Sequence, residues 1–287
     1  MEGVMMRGPE RVAVAVRRYD GRIVVKSEPY VSLAKKIKPL GWPFLRGAVV
    51  LIESIILGVR ALNFSGDVVM EQQGEKSRAG GLWMGFTVLF AFLFGLGLFF
   101  YLPLWLTELF RFRSGILFNL VDGVFRMIIF LAYLYLISRW KEIERIFQYH
   151  GAEHKSIFAF ETHGELNVES ARPFKTAHPR CGTSFLAIVM AVSIVVFMFL
   201  GHPENLAERL IRLSFVPLIG GISYELIKIS DRGLGDGLLR LLISPGLWLQ
   251  KITTREPDDR QLEVAMVALK SALAMEPRVG PSEVESA

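Results

Sequence analysis

Cysteine is nearly absent: Cys181 is the only one in 287 residues. That excludes an internal disulfide framework and leaves one thiol for metal or redox chemistry. Histidine is scarce too, at five residues, so any two at a chemically meaningful spacing carry weight. The start, Met1-Glu2-Gly3-Val4, lacks the apolar core of a secretory signal, and no cleavage is expected there. A large excess of one charge is also missing. The net +5 is modest and spread over several segments, which speaks against a nucleic-acid surface and suits anionic lipid headgroups. Apolar residues, by contrast, are abundant. They make up 52% of the chain, Phe alone contributes 21, and mean hydropathy is +0.38. They come in blocks rather than at one period, which points to bilayer spans and excludes an ordinary soluble domain.

Four blocks qualify as transmembrane helices. Residues 81–106 are rich in Phe and Leu, with Trp83, Tyr101 and Trp105 near the ends. Residues 116–138 contain Asp122 and Arg126, an i,i+4 pair that can neutralise itself facing inward and lock the packing; a polar pathway is the weaker reading. Residues 184–200 form a third span, and 210–228 a fourth, interrupted by Pro217 and Gly220-Gly221 and ending at Tyr224-Glu225. Two other apolar stretches fall short. Residues 44–62 carry Arg46, Glu53 and Arg60 at seven-residue intervals and read as an interfacial or re-entrant helix. Residues 234–249 are short and Gly/Pro-interrupted, and read as an amphipathic surface segment.

The remaining chain has soluble patterns. Residues 12–26 read as a β-hairpin, with Val12, Val14 and Val16 alternating with alanines, a turn at Asp20-Gly21, and a return through Ile23-Val24-Val25. Residues 253–276 read as a helix capped by Thr253-Thr254, with Glu256-Pro257-Asp258-Asp259 in its first turn. Leu262, Met266, Leu269 and Leu273 give it an apolar stripe, and disorder is expected from Pro277 onward. The expected fold is therefore mainly α: a polytopic helical membrane protein with four spans and a small N-terminal β-hairpin element. Its units are 1–43, 44–80, the span pair 81–138, the loop 139–183, the span pair 184–228, and 229–287.

The basic residues orient it. Residues 1–80 hold thirteen Lys/Arg, 107–114 two, 139–183 seven, 201–209 one, and 228–287 eight. Rich and poor segments alternate as the positive-inside rule requires for four spans with both termini cytoplasmic. The expected location is the cytoplasmic (inner) membrane, with 139–183 inside the cell.

That loop holds the most informative string, His150-Gly151-Ala152-Glu153-His154. Histidines at i and i+4 lie one helical turn apart and can share a metal ion. Residues 140–161 have helical periodicity, and Ile143, Phe147, His150, His154 and Ile157 fall along one stripe, so both imidazoles occupy an apolar face. Such imidazoles need a metal or a hydrogen-bonding partner; two hydrogen-bonded interfacial histidines are the simpler alternative. His178-Pro179-Arg180-Cys181 adds a nitrogen and a sulfur donor just before the third span. Glu225 ends the fourth span on the same membrane face, where it joins the site or pairs with Lys228 one turn on. With His150, His154, His178 and Cys181 all bound, the site is closed and structural. With three bound, a water remains on the metal and Glu153 or Glu225 can take its proton. His-x-x-Glu-His is also similar to the inverted zincin motif, in which a distant glutamate completes the zinc site, although nothing else here resembles those soluble proteases.

The chain as a whole resembles the YqhQ-like family of bacterial membrane proteins. The matching stretches are Gly3–Gly8, Gln148–Lys155, Ala177–Phe185 and Thr253–Asp259. The resemblance implies a domain of unknown function and a metal-dependent enzyme without a settled substrate. The leading expectation is a metal-dependent membrane enzyme, with zinc as first choice, hydrolysing a lipid-like or membrane-embedded substrate at the cytoplasmic interface. Glu153 is the expected general base and Glu225 a further candidate ligand. A non-enzymatic scaffold or insertion factor with a structural metal is one alternative, and an ion or metal transporter another.

Overall fold

The computed structural model describes residues 2–43, 45–72, 81–164, 166–178, 181–203, 205–232 and 237–275. Three antiparallel strands open the chain: β1 (Gly3–Arg7), β2 (Arg11–Arg17) and β3 (Ile23–Pro29), in the order β1-β2-β3. The hairpin expected at 12–26 is β2–β3, with Gly21 at φ +90° in its turn and Arg22 N–H donating to Asp20 Oδ1. The strand β1 was not expected. Its register with β2 pairs Val4 with Ala15 and Met6 with Ala13.

The Val/Ala alternation of β2 now has a cause. Val4, Met6, Ala13 and Ala15 share a core with Leu262, Ala265, Met266 and Leu269 of the C-terminal helix α12 (Asp259–Ala272). Small alanines let that helix lie close to the sheet. Met5, Val12 and Val14 are on the other side, along a groove shared with α2 (Leu45–Gln72). Helix α12 starts later than expected. Its cap is Asp258, which forms a capping box with Gln261, whereas Thr253 ends the preceding helix and Thr254 lies between the two. Proline at 257 and the Asp-x-x-Gln pattern win over the two threonines. The disorder expected from Pro277 lies outside the described residues.

Between sheet and spans, the chain makes one helical turn α1 (Leu33–Lys36) and a 3-10 turn (Lys38–Gly41) before α2. The interfacial helix expected at 44–62 is longer, reaching Gln72. Among the described residues, four helical segments are long and apolar enough to cross a membrane: Gly85–Glu108, Gly115–Ile137, Gly182–Phe199 and Ala207–Ile229. They correspond to the four expected spans. The first comprises α3 (Gly81–Leu96), a π-helical turn (Gly97–Tyr101) and α4 (Leu102–Glu108); α5 (Gly115–Ile137) and α8 (Gly182–Phe199) are continuous. The fourth runs through α9 (Leu206–Ser214) and α10 (Val216–Arg232), with Pro217 in the first turn of α10.

The stretch expected to be an amphipathic surface segment is the helix α11 (Gly237–Thr253), and it packs into the bundle. Leu249 is buried against Leu134 of α5 and Ala187 of α8. Gly246 allows this: a Cβ there would lie 2.5 Å from the Ser184 side chain. Pro245 interrupts hydrogen bonding without ending the helix.

The bundle has two distinct ends. At the far end, Arg209 pairs with Glu108, and Asn119 donates to the Gly201 carbonyl at 2.8 Å. At the near end sit the sheet, α12 and α6 (Lys141–His163), followed by the single turn α7 (Val168–Ala171).

Candidate metal centre

Helix α6 carries the His-x-x-Glu-His string as one regular helix, ending where Gly164 adopts φ +68°. The extended strand Thr254–Pro257 crosses over it. Arg255 N–H donates to the Phe147 carbonyl at 2.9 Å, and Glu256 pairs with the buried Lys155. Gly151 makes the crossing possible, since a Cβ there would stand 2.1 Å from the Arg255 carbonyl oxygen. On the flank, Gln250 clamps the backbone of His178: His178 N–H donates to Gln250 Oε1 at 2.7 Å and Gln250 Nε2 donates to the His178 carbonyl at 2.8 Å. The remaining Nε2 proton reaches Ser184 Oγ at 2.9 Å, tying this clamp to the start of α8.

These contacts orient the imidazoles. His150 Nδ1 lies 2.8 Å from the Thr253 carbonyl, and His154 Nδ1 bonds the Thr176 carbonyl. A carbonyl only accepts, so each Nδ1 carries the proton and each Nε2 presents a lone pair. His150 Nε2 points to Cys181 Sγ at 3.1 Å. Cys181 caps α8, its sulfur receiving the Thr183 N–H at 3.4 Å. One ring nitrogen each from His150 and His154 and the Cys181 sulfur all lie within 4.8 Å of one another. A tetrahedral zinc ion with bonds of about 2.0–2.3 Å holds its ligands roughly 3.5 Å apart. The 3.1 Å between His150 Nε2 and the Cys181 sulfur is already close to that spacing.

The three donors open on a cavity of about 250 Å³ that is also lined by Glu153, Ile157, Glu161, His178 and Gly182. Glu153 faces it from α6, and burial pushes its carboxyl above the usual range, with His150 opposing. His178 is on the opposite wall, buried, with Nε2 3.5 Å from Glu161 Oε2 and its ring 4.3 Å from that of Phe158. It lies outside the three-donor group. Glu225 is elsewhere: both its oxygens engage Arg46 of α2, and it does not line the cavity. Of the residues singled out from sequence, the fold thus gathers His150, Glu153, His154, His178 and Cys181 and leaves Glu225 apart. Glu161 is the one that sequence reasoning missed. It stands seven residues after His154, on the stripe already occupied by His150, His154 and Ile157, so the periodicity contained the signal.

Three of the four stretches that resemble the YqhQ-like family meet here, because α6, residues 176–178 and 181–185, and the 253–259 crossing build one site. Residues 42–275 match the model for a protein of unknown function (DUF1385). The chain belongs to that family. It is similar to the uncharacterized protein YqhQ of Bacillus subtilis (strain 168), at 34% identity over 294 residues, covering 96% of this chain and 91% of the relative. No solved structure matches. For this DUF1385 member, then, the chemistry has to be read from the donor set itself.

Proposed function

We propose that this membrane protein is a metal-dependent enzyme whose ion, zinc foremost, is held by His150, His154 and Cys181. One observation carries the reading: backbone carbonyls hold both imidazoles at Nδ1, His150 Nε2 lies 3.1 Å from the Cys181 sulfur, and one nitrogen of each ring and that sulfur lie within 4.8 Å of one another. Outer partners of this kind orient ligands in metal sites. Three protein donors leave a coordination position free, as catalytic sites do. A bound zinc would supply Lewis acidity and an acidified water. Glu153 lines the cavity and would accept a proton at its carboxylate, whose affinity for protons burial raises. Glu161 and His178 face the same space and can exchange a proton with a leaving group.

The substrate reading follows from place. Cys181 and Gly182 begin a membrane-crossing helix, so the cavity stands at the level of the bilayer surface. A lipid-like or membrane-embedded substrate reaches it without leaving the membrane, and hydrolysis is the reaction that this donor set serves best. The Lys/Arg-rich segments lie toward the near end, which supports a cytoplasmic orientation for it and for both termini in the inner membrane. A structural metal is the competing reading, favoured by the presence of His178 in the same cavity as a possible fourth donor. Transport has less support, since the ionisable residues well inside the spans are confined to Asp122, Arg126 and Arg212 near the far end.

Metal analysis of the purified protein separates these. About one zinc per chain is expected, lost in His150→Ala, His154→Ala and Cys181→Ala and kept in His178→Ala. Loss in His178→Ala as well indicates a closed structural site. A wild-type protein that binds no divalent metal would sink both metal readings.

A further inference from the structure

Helix α2 is inside out for a helix at a water surface. Its charged residues at seven-residue spacing, Arg46, Glu53, Arg60 and Asp67, follow one stripe on the side that meets the rest of the protein, with Arg46 and Glu53 engaged there and Arg60 and Asp67 exposed at the edge of a groove. Arg46 pairs with Glu225. Glu53 accepts from Ser32 Oγ at 2.7 Å and from Leu33 N–H at 2.6 Å. Arg60 and Asp67 line a groove of about 440 Å³ shared with the sheet. The other side presents Ile52, Ile55, Ile56, Val59 and Leu62, each between 40% and 59% exposed. Their spacing makes one continuous stripe along the helix. Scattered exposed aliphatics are ordinary, but a contiguous stripe marks a surface covered by something apolar.

The segment leading into α2 indicates what covers it. Val31, Leu33, Ile37 and Trp42 are exposed, Trp42 at 64%, beside the exposed Lys35, Lys36 and Lys38. Among the described residues, no carboxylate is within ion-pair distance of these three lysines. The Glu53 contacts to Ser32 and Leu33 fasten this basic segment to the first third of α2, one residue after the stripe begins at Ile52. Helix α2 also joins membrane and soluble parts. It packs on the span helix α10, where a Cβ on Gly47 would lie 2.8 Å from Gly221 Cα, and then reaches the sheet groove.

We propose that the Ile52–Leu62 stripe lies in the acyl layer of the near leaflet and that Lys35, Lys36 and Lys38 bind the phosphate groups of anionic lipids, with Trp42 at the glycerol level. Aromatic and basic residues take these depths at membrane interfaces. Charge selects lipid over a second copy of the chain, because two copies joined at this surface would press their lysine clusters together.

The test uses the full chain in nanodiscs of phosphatidylcholine and phosphatidylglycerol, with the preference for phosphatidylglycerol measured from spin-labelled lipids. Each lysine near the surface contributes roughly fivefold, so the triple variant Lys35→Gln, Lys36→Gln, Lys38→Gln should reduce the preference by on the order of tenfold or more. The emission lost on Trp42→Phe should be the component quenched by lipids brominated near the headgroup. Unchanged lipid preference in the triple variant overturns the proposal. So does a Trp42 component quenched by aqueous acrylamide but not by brominated lipid. Disulfide-linked dimers of Ile55→Cys would assign the stripe to a second copy, and would overturn it too.

Discussion

At the near end of the bundle, His150 and His154 each give a proton to a backbone carbonyl and turn a lone pair into a cavity. At the far end, Arg126 and Arg212 stand over the Phe197 ring, at 5.1 and 5.4 Å, and both lie in the field of one carboxylate. Asp122 meets Arg126 at 2.9 Å, while Arg212 donates to the Gly201 carbonyl. Asn119 Oδ1, Asp122 Oδ1, Arg126 Nε and Arg212 Nη1 are buried without hydrogen-bond partners among the described residues. Both regions bury polar groups, but only the near one aims them at a common open point. A convergent set of lone pairs can serve a ligand. An ion cluster filled with aromatic rings serves helix packing, as a lock whose parts are costly to remove singly.

If that contrast holds, the largest effect of a single substitution belongs to the far end. Asp122→Ala leaves two guanidiniums without their counter-charge and should cost about 3–5 kcal/mol. Thermal unfolding in detergent measures this, and zinc content should stay normal. A variant of unchanged stability would break the lock interpretation. Gly151→Ala comes next. Its methyl meets the Arg255 carbonyl, so it should cost about 1–3 kcal/mol by overpacking, where an open helical site would gain from the same change. Unlike Asp122→Ala, it should also weaken zinc retention, because the displaced segment follows directly on Thr253, whose carbonyl holds His150.

Two smaller effects probe the near body apart from its site. Asp258→Ala removes the α12 cap and should cost about 1 kcal/mol, visible as a lower unfolding midpoint at unchanged metal content. The smallest is a pH effect. The Arg172 guanidinium bonded to Asp259 holds that carboxyl below its usual range. A depressed folded value means the stabilisation is complete above the ordinary carboxylate range and is lost as pH falls through the folded value. Wild type and Asp259→Asn should therefore differ slightly at neutral pH and converge in acid. A difference that persists in acid would show that the pair is not its source.

Much of this molecule was legible in the chain because spans and amphipathic helices are local patterns. Apolar blocks of about twenty residues marked the four membrane-crossing helices, and the turn at Asp20-Gly21 marked β2–β3. Strand β1 escaped because five residues carry too little alternation, and it is defined by its pairing with β2. Helix α11 was misread because its glycine and proline look like breaks until Ser184 is seen filling the space at Gly246. The start of α12 was misplaced because two threonines resemble caps, while the box formed by Asp258 and Gln261 is the stronger arrangement.

The candidate site divides the same way. Spacing alone put His150, Glu153 and His154 on one helical face, and proximity in sequence suggested His178 and Cys181 beside a span. Glu225 was grouped with them only because it ends a span on the same side, and a side chain's partner is not a property of its depth. Arg46, distant in sequence, engages it. Which imidazole nitrogen is free, how many donors converge and that Glu161 faces the cavity depend on contacts from residues 176, 253 and 255 to helix α6 and on the clamp of Gln250 on His178. Local periodicity places side chains on a face. Only tertiary packing brings the carbonyls that turn that face into a site.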